Sequence, residues 1–141
     1  MKKCLLGLFS IALVACGGAG QGQGSNSSST EAAKPVEYIK VTANELLKAY
    51  KENEVSANQK YQGKPLEVSG KIDSIEAGLA DKPYVVLKAG GEFEFVQPQA
   101  HFNEDEINKV ANLKKGQAIT LLCEGDGEVA GGPMLSDCRI K

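Results

Sequence analysis

The sequence predicts a small, mainly β domain with helices: a five-stranded barrel with one helix ahead of its first strand and another between its third and fourth. Three observations lead there. Apolar residues alternate after Pro65, helix-start patterns recur at Thr42 and Asn103, and two further alternating runs follow the second of these. The chain has 141 residues, 42% apolar, with 16 Gly, 4 Cys and no Trp. That is room for one such domain plus accessory segments, and it excludes a multidomain enzyme, a coiled coil and a polytopic membrane protein.

The first helix is expected from Thr42. Thr42 and Glu45 form a capping-box pattern, and Val41 with Leu46 forms a hydrophobic staple. Leu46, Leu47 and Tyr50 share one face, and the helical pattern continues from Asn53 through Val55, Ala57 and Tyr61 until Gly63-Lys64-Pro65 stops it. In the first strand Leu66, Val68, Gly70 and Ile72 share a face. Ile75 falls out of phase with Ile72, so a bulge or bend is expected near there. The second strand is Tyr84 to Lys88. The third is expected to start near Glu92, with Phe93 and Phe95 on one face, and to run toward Gln99.

Asn103 then repeats the helix-start logic, with Glu106 reaching back and Phe102 stapling Ile107, so a short helix is expected to about Leu113. Lys114-Lys115-Gly116 ends it with cations at the negative end of the helix dipole. The last strands are Ala118 to Glu124 and Met134 to Ile140, joined by a loop at Gly125 to Pro133.

Residues 1–15 carry a different message. Lys2 and Lys3 precede the apolar stretch Leu5 to Val14, ten residues and too short to span a bilayer as a helix. Leu13-Val14-Ala15-Cys16 resembles the lipobox of bacterial lipoproteins, which implies cleavage before Cys16 and acylation of that residue, palmitate included. Cys4 has no apolar segment upstream and leaves with the signal. The expected partner is therefore a membrane, through lipid on Cys16. Gly17, rather than Asp, follows the cysteine, which by resemblance to the enteric sorting rule favours the outer membrane, facing the periplasm. Loss of Lys2 and Lys3 leaves 14 basic against 18 acidic side chains, a mildly acidic mature protein.

Residues 16–37 combine the lipidated cysteine with a stretch too poor in apolar groups to offset the entropy of ordering it. About twenty such residues reach roughly 25 Å on average and about 70 Å fully stretched. Residues 38–141 form the domain. Its two cysteines, Cys123 and Cys138, are expected to form a disulfide in an exported protein, worth about 3 kcal/mol for a loop of this length. A zinc site would need more ligands than these two and the distant His101.

Three strands, a helix and two strands is the order of the OB-fold barrel. Asn53-Glu54, Ala57-Asn58, Tyr61, Gly63-Lys64, Val68-Ser69-Gly70, Leu113-Lys114-Lys115-Gly116 and Cys138 resemble the tRNA_anti-like family of bacterial OB-fold proteins over roughly residues 41–141. The resemblance implies a fold; none of these motifs is catalytic.

The sequence carries no nucleophile signature, no metal-ligand pair at helical spacing and one neutral-pH base, His101. No catalytic, metal or cofactor site is expected. Nucleic acid is not expected as a partner either, because lysines scattered among carboxylates make no concentrated cationic track. The binding face of an OB-fold lies on its second and third strands, which nominates Tyr84, Phe93, Phe95 and His101. A barrel this small also needs aromatic rings inside, so the core has the first claim on Tyr84, Phe93 and Phe95. Leu79 to Pro83 is the next candidate contact region. The expected partner is a protein or envelope polymer; the alternative is a small-ligand or oligosaccharide carrier, which would need a concave pocket with convergent polar groups.

Overall fold

A computed structural model describes residues 35–141. The expected signal segment 1–15, Cys16 and most of the expected linker lie outside the described residues. The elements are β1 (Ile39–Thr42), α1 (Ala43–Glu52), α2 (Glu54–Tyr61), β2 (Pro65–Glu76), β3 (Tyr84–Lys88), β4 (Gln99–Phe102), α3 (Ile107–Val110), β5 (Ala118–Val129) and β6 (Gly132–Ile140).

β2 to β6 supply the five strands of the predicted barrel, the third at a shifted position, and they close it in the order β2-β3-β4-β6-β5 with β5 returning to β2. Every pairing in the ring is antiparallel except β4 with β6. This is OB-fold topology. Leu66, Val68, Ile72, Val85, Leu87, Ala100, Phe102, Leu121 and Leu135 fill its interior. Closure depends on the bend in β2, whose register against β3 shifts between Ile72 and Ser74, where the phase slip of Ile75 predicts it. Gly70 serves the same strand differently: a Cβ there would stand 3.1 Å from that of Ala43, so the bare backbone lets α1 approach.

β1 is an addition the sequence pattern does not reveal. Ile39 to Thr42 pair in parallel with Leu66 to Ser69, along the edge of β2 that β3 takes over only from Lys71. Thr42 then turns directly into α1 with the expected capping box in place. Leu46, Leu47 and Tyr50 are buried as their spacing requires. The expected continuous helix is instead two. Asn53 takes an extended backbone, donates its N–H to Ala49 and accepts from Ser56 N–H through its side chain, closing one helix and capping the next. The break turns α2 so that Tyr61 lies 6.4 Å from Tyr50, ring to ring.

Four further expectations are corrected. The third barrel strand is Gln99–Phe102, not the stretch from Glu92; residues 90–98 form a loop held by the side chains of Glu94 and Gln97. Phe102, cast as a helix staple, is the aromatic that enters the barrel, at 2% exposure. The following helix shrinks to a 3₁₀ turn at Glu104–Glu106 and the single turn of α3, because Asn103 makes no side-chain cap and Glu106 is engaged elsewhere. The loop expected at Gly125 to Pro133 is mostly strand: β5 and β6 run to a two-residue turn at Ala130 and Gly131, both with positive φ, the geometry that matches strand twist.

Cys123 and Cys138 are joined as a disulfide between β5 and β6. Both are buried. The bond sits where the register slips by one residue, with Asp137 in the left-handed region making the bulge.

Candidate functional site

Alternation along β3 and β4 sends Val85, Leu87, Ala100 and Phe102 inward and leaves Tyr84, Val86, Gln99 and His101 half-exposed on the outer face. The register pairs Tyr84 with His101 across the two strands. Their rings stack, 5.0 Å between centroids and 24° between planes. His101 Nε2 is buried with no hydrogen-bond partner among the described residues. Burial holds this imidazole below its ordinary pKa, against a weaker pull upward from the carboxylate of Asp126. The ring is therefore neutral at neutral pH, with one nitrogen buried and unpartnered among the described residues.

The loop between β2 and β3 walls this pair on one side. Glu76, Ala77, Gly78, Leu79 and Lys82 join Tyr84, Gln99 and His101 around an open groove of about 590 Å³. That volume falls within the range of small-ligand clefts. The loop is tightly wound. Gly78 has φ 58°, and a Cβ there would collide with the carbonyl of Lys82. Ala80 and Asp81 also sit in the left-handed region, at φ 54° and 57°, which costs about 1 kcal/mol or more for each non-glycine residue. The result is to hold Leu79 at the groove rim, 92% exposed.

Of the residues nominated from sequence, the structure brings Tyr84 and His101 together and sets Phe93 and Phe95 apart, in the loop between β3 and β4 rather than on a strand. Neither phenylalanine lines the groove, and neither is core: they are 85% and 92% exposed. The expected contact region at Leu79 does border the groove. Lys82 lies within that region, whereas Glu76 and Gln99 are not among the residues the sequence nominates; the alternation that places His101 also places Gln99 once the start of the strand is fixed. Among the described residues no three His, Cys, Asp or Glu side chains lie together as a metal site would require, and no helix is long and apolar enough to cross a membrane.

Comparison with known proteins bears on this barrel. The tRNA_anti-like family model matches residues 1–139. The chain belongs to the tRNA_anti-like family. A solved candidate nucleic acid-binding lipoprotein from Klebsiella pneumoniae subsp. pneumoniae is similar to this tRNA_anti-like chain with a TM-score of 0.60 and 19% identity, over 74% of this chain and 92% of that one. A candidate aspartyl-tRNA synthetase from Leishmania major Friedlin is similar with a TM-score of 0.51 and 9% identity, over 86% of this chain but only 22% of that protein. At these identities both show the fold alone. No curated protein matches the chain.

Proposed function

We propose that this tRNA_anti-like barrel is a non-enzymatic binding module of the cell envelope, tethered by lipid on Cys16, that grips a protein segment or an envelope polymer along the outer face of β3 and β4. The observation that carries the reading is the stacked Tyr84–His101 pair at a preformed groove, with one imidazole nitrogen unpartnered. A stacked aromatic floor in a groove that also carries polar side chains accommodates a peptide or a sugar ring equally well. The lipoprotein character of the Klebsiella neighbour is consistent with the tether.

A small-ligand or oligosaccharide carrier is the second reading, favoured by the concavity of the groove and its convergent polar groups Glu76, Lys82, Gln99 and His101. The Klebsiella protein's description raises nucleic acid as a third. The electrostatics of this groove weigh against it: Lys82 is balanced by Glu76, and a neutral His101 offers phosphates no charge.

A photocrosslinking side chain at Leu79 in living cells, with the anchor retained, tests the reading. Expected are discrete protein or glycan adducts that diminish in a Tyr84→Ala, His101→Ala variant. Adducts dominated by RNA or DNA would overturn it, as would intrachain products alone.

A further inference from the structure

The loop between β3 and β4 is fixed to the body of the domain along its length. Gly90 N–H donates to Asn44 Oδ1 at 2.7 Å, Glu94 pairs with Lys51 of α1, and Gln97 closes the loop on itself through Ala89 N–H and the Glu94 carbonyl. This framework leaves the side chains on either side of Glu94, those of Phe93 and Phe95, almost wholly in water. A single exposed apolar residue is ordinary; two phenylalanines two positions apart in a pinned loop, each almost fully exposed, mark an apolar surface without a partner among the described residues.

Beside the loop lies a cationic pair. Lys71 and Lys88 stand directly opposite each other in the β2–β3 ladder, an arrangement that repels, and neither forms a salt bridge among the described residues. Together with Thr42, Ser69 and Gly90 they border a groove of about 470 Å³. The carboxylates near this side are Glu94, already paired with Lys51, Glu45, held by Thr42 at the border of the groove, Glu52, which meets Lys48, and Glu92 in the loop.

We propose that this loop seats in the interfacial region of a bilayer, with Phe93 and Phe95 entering the boundary between headgroups and acyl chains and Lys71 and Lys88 meeting anionic lipid phosphates. The inference rests on the reading of Cys16 as a lipid anchor. Three arguments select a membrane over a protein. Two rings supply at most about 500 Å² on this side, short of the roughly 800 Å² per partner of a stable protein interface. Aromatic side chains beside lysines suit the headgroup level, where no shape complementarity is needed. A chain tethered through about twenty residues never moves more than about 70 Å from the surface, so weak insertion suffices at such an effective concentration. The loop would then set the orientation in which the Tyr84–His101 groove faces away from the lipid, since Leu79 and the loop lie at opposite ends of β3.

The chain lacks tryptophan, so a single introduced indole is a unique reporter. The test uses full-length lipidated Phe95→Trp protein in vesicles of phosphatidylethanolamine with 30% phosphatidylglycerol, with Leu79→Trp as the control. For Phe95→Trp, iodide quenching is expected to fall at least threefold on reconstitution and brominated lipid to remove more than half of the emission; for Leu79→Trp neither should change. Lys71→Gln with Lys88→Gln should restore about half of the iodide access. Vesicle-bound protein whose Phe95→Trp indole stays as open to iodide as the control overturns the insertion and leaves the anchor standing. Failure of the wild type to float with vesicles overturns both. Shielding that appears only on addition of periplasmic protein overturns the membrane as occupant in favour of a protein.

Discussion

Two stretches of this domain carry the same pattern, a capping residue followed three positions later by glutamate, with apolar residues placed to staple the turn. At the first, Thr42 Oγ1 accepts from Glu45 N–H at 3.1 Å and Glu45 Oε2 accepts from Thr42 N–H at 2.9 Å, and a ten-residue helix follows. At the second, Asn103 caps nothing and Glu106 turns inward to 6% exposure, where its oxygens accept from Lys109 Nζ at 2.7 Å and from Ile140 N–H of β6 at 3.2 Å. Only a 3₁₀ turn and one turn of helix form there. The difference teaches that a capping box is what a glutamate does when nothing stronger competes. Glu45 faces solvent, so the N-cap N–H is its best partner; Glu106 is offered a lysine and the end of a barrel strand, and charge-assisted bonds away from water outweigh a cap.

The contrast can be broken most severely from the strand that Glu106 holds. β6 is tied to β5 by the disulfide, so Cys123→Ser should lower stability by about 3 kcal/mol in a denaturant titration and leave one free thiol at Cys138. Two reactive thiols in the native protein would show that the tie does not exist in solution. Glu106→Ala should cost about 1.5–3 kcal/mol, as loss of a buried charged acceptor does. Glu45→Ala, at an exposed cap, should cost less than Glu106→Ala. Equal losses would erase the distinction drawn between the two glutamates.

The caps themselves give a finer comparison. Thr42→Ala should destabilise by about 1 kcal/mol, whereas Asn103→Ala should stay within about 0.5 kcal/mol of wild type, because only the first makes a side-chain cap. Thermal scans of the two variants decide it, and the reverse order would refute the assignment of caps.

Two pH effects sharpen the comparison further. Lys109, aided by Ile140 N–H, holds the Glu106 carboxyl below its ordinary 4.5, so its stabilisation is complete above that value and is lost as pH falls through the lowered one. Glu106→Gln should flatten the acid limb of a stability profile. His101 has the smallest expected effect. Its neutral form is favoured in the fold, so its contribution is present above the ordinary 6.5 and declines as pH drops below it. His101→Gln should remove that decline, and an NMR titration of the ring at or above 6.5 would contradict the burial argument.

How far the sequence carries varies from residue to residue. β3 appears with its predicted bounds because Tyr84 to Lys88 alternates between clear breaks, and the phase slip at Ile75 marks a real register shift. Tyr84 and His101 were nominated and do meet. Phe93 and Phe95 alternate as a strand would, but the segment closes on itself through Gln97 and Glu94, side chains whose partners no periodicity reveals. β1 was invisible because four residues of parallel strand exist only by virtue of a free edge on β2.

The sequence by itself determined the order of the barrel strands, the start of α1 and the cysteines available to staple the domain, since each depends on short-range periodicity, local capping or composition. Tertiary structure alone decided which aromatic enters the barrel, Phe102 rather than Phe93 or Phe95, and which partner Glu106 takes. Those outcomes are choices among competing contacts, and the competitors come together only when strands distant in the chain close the barrel.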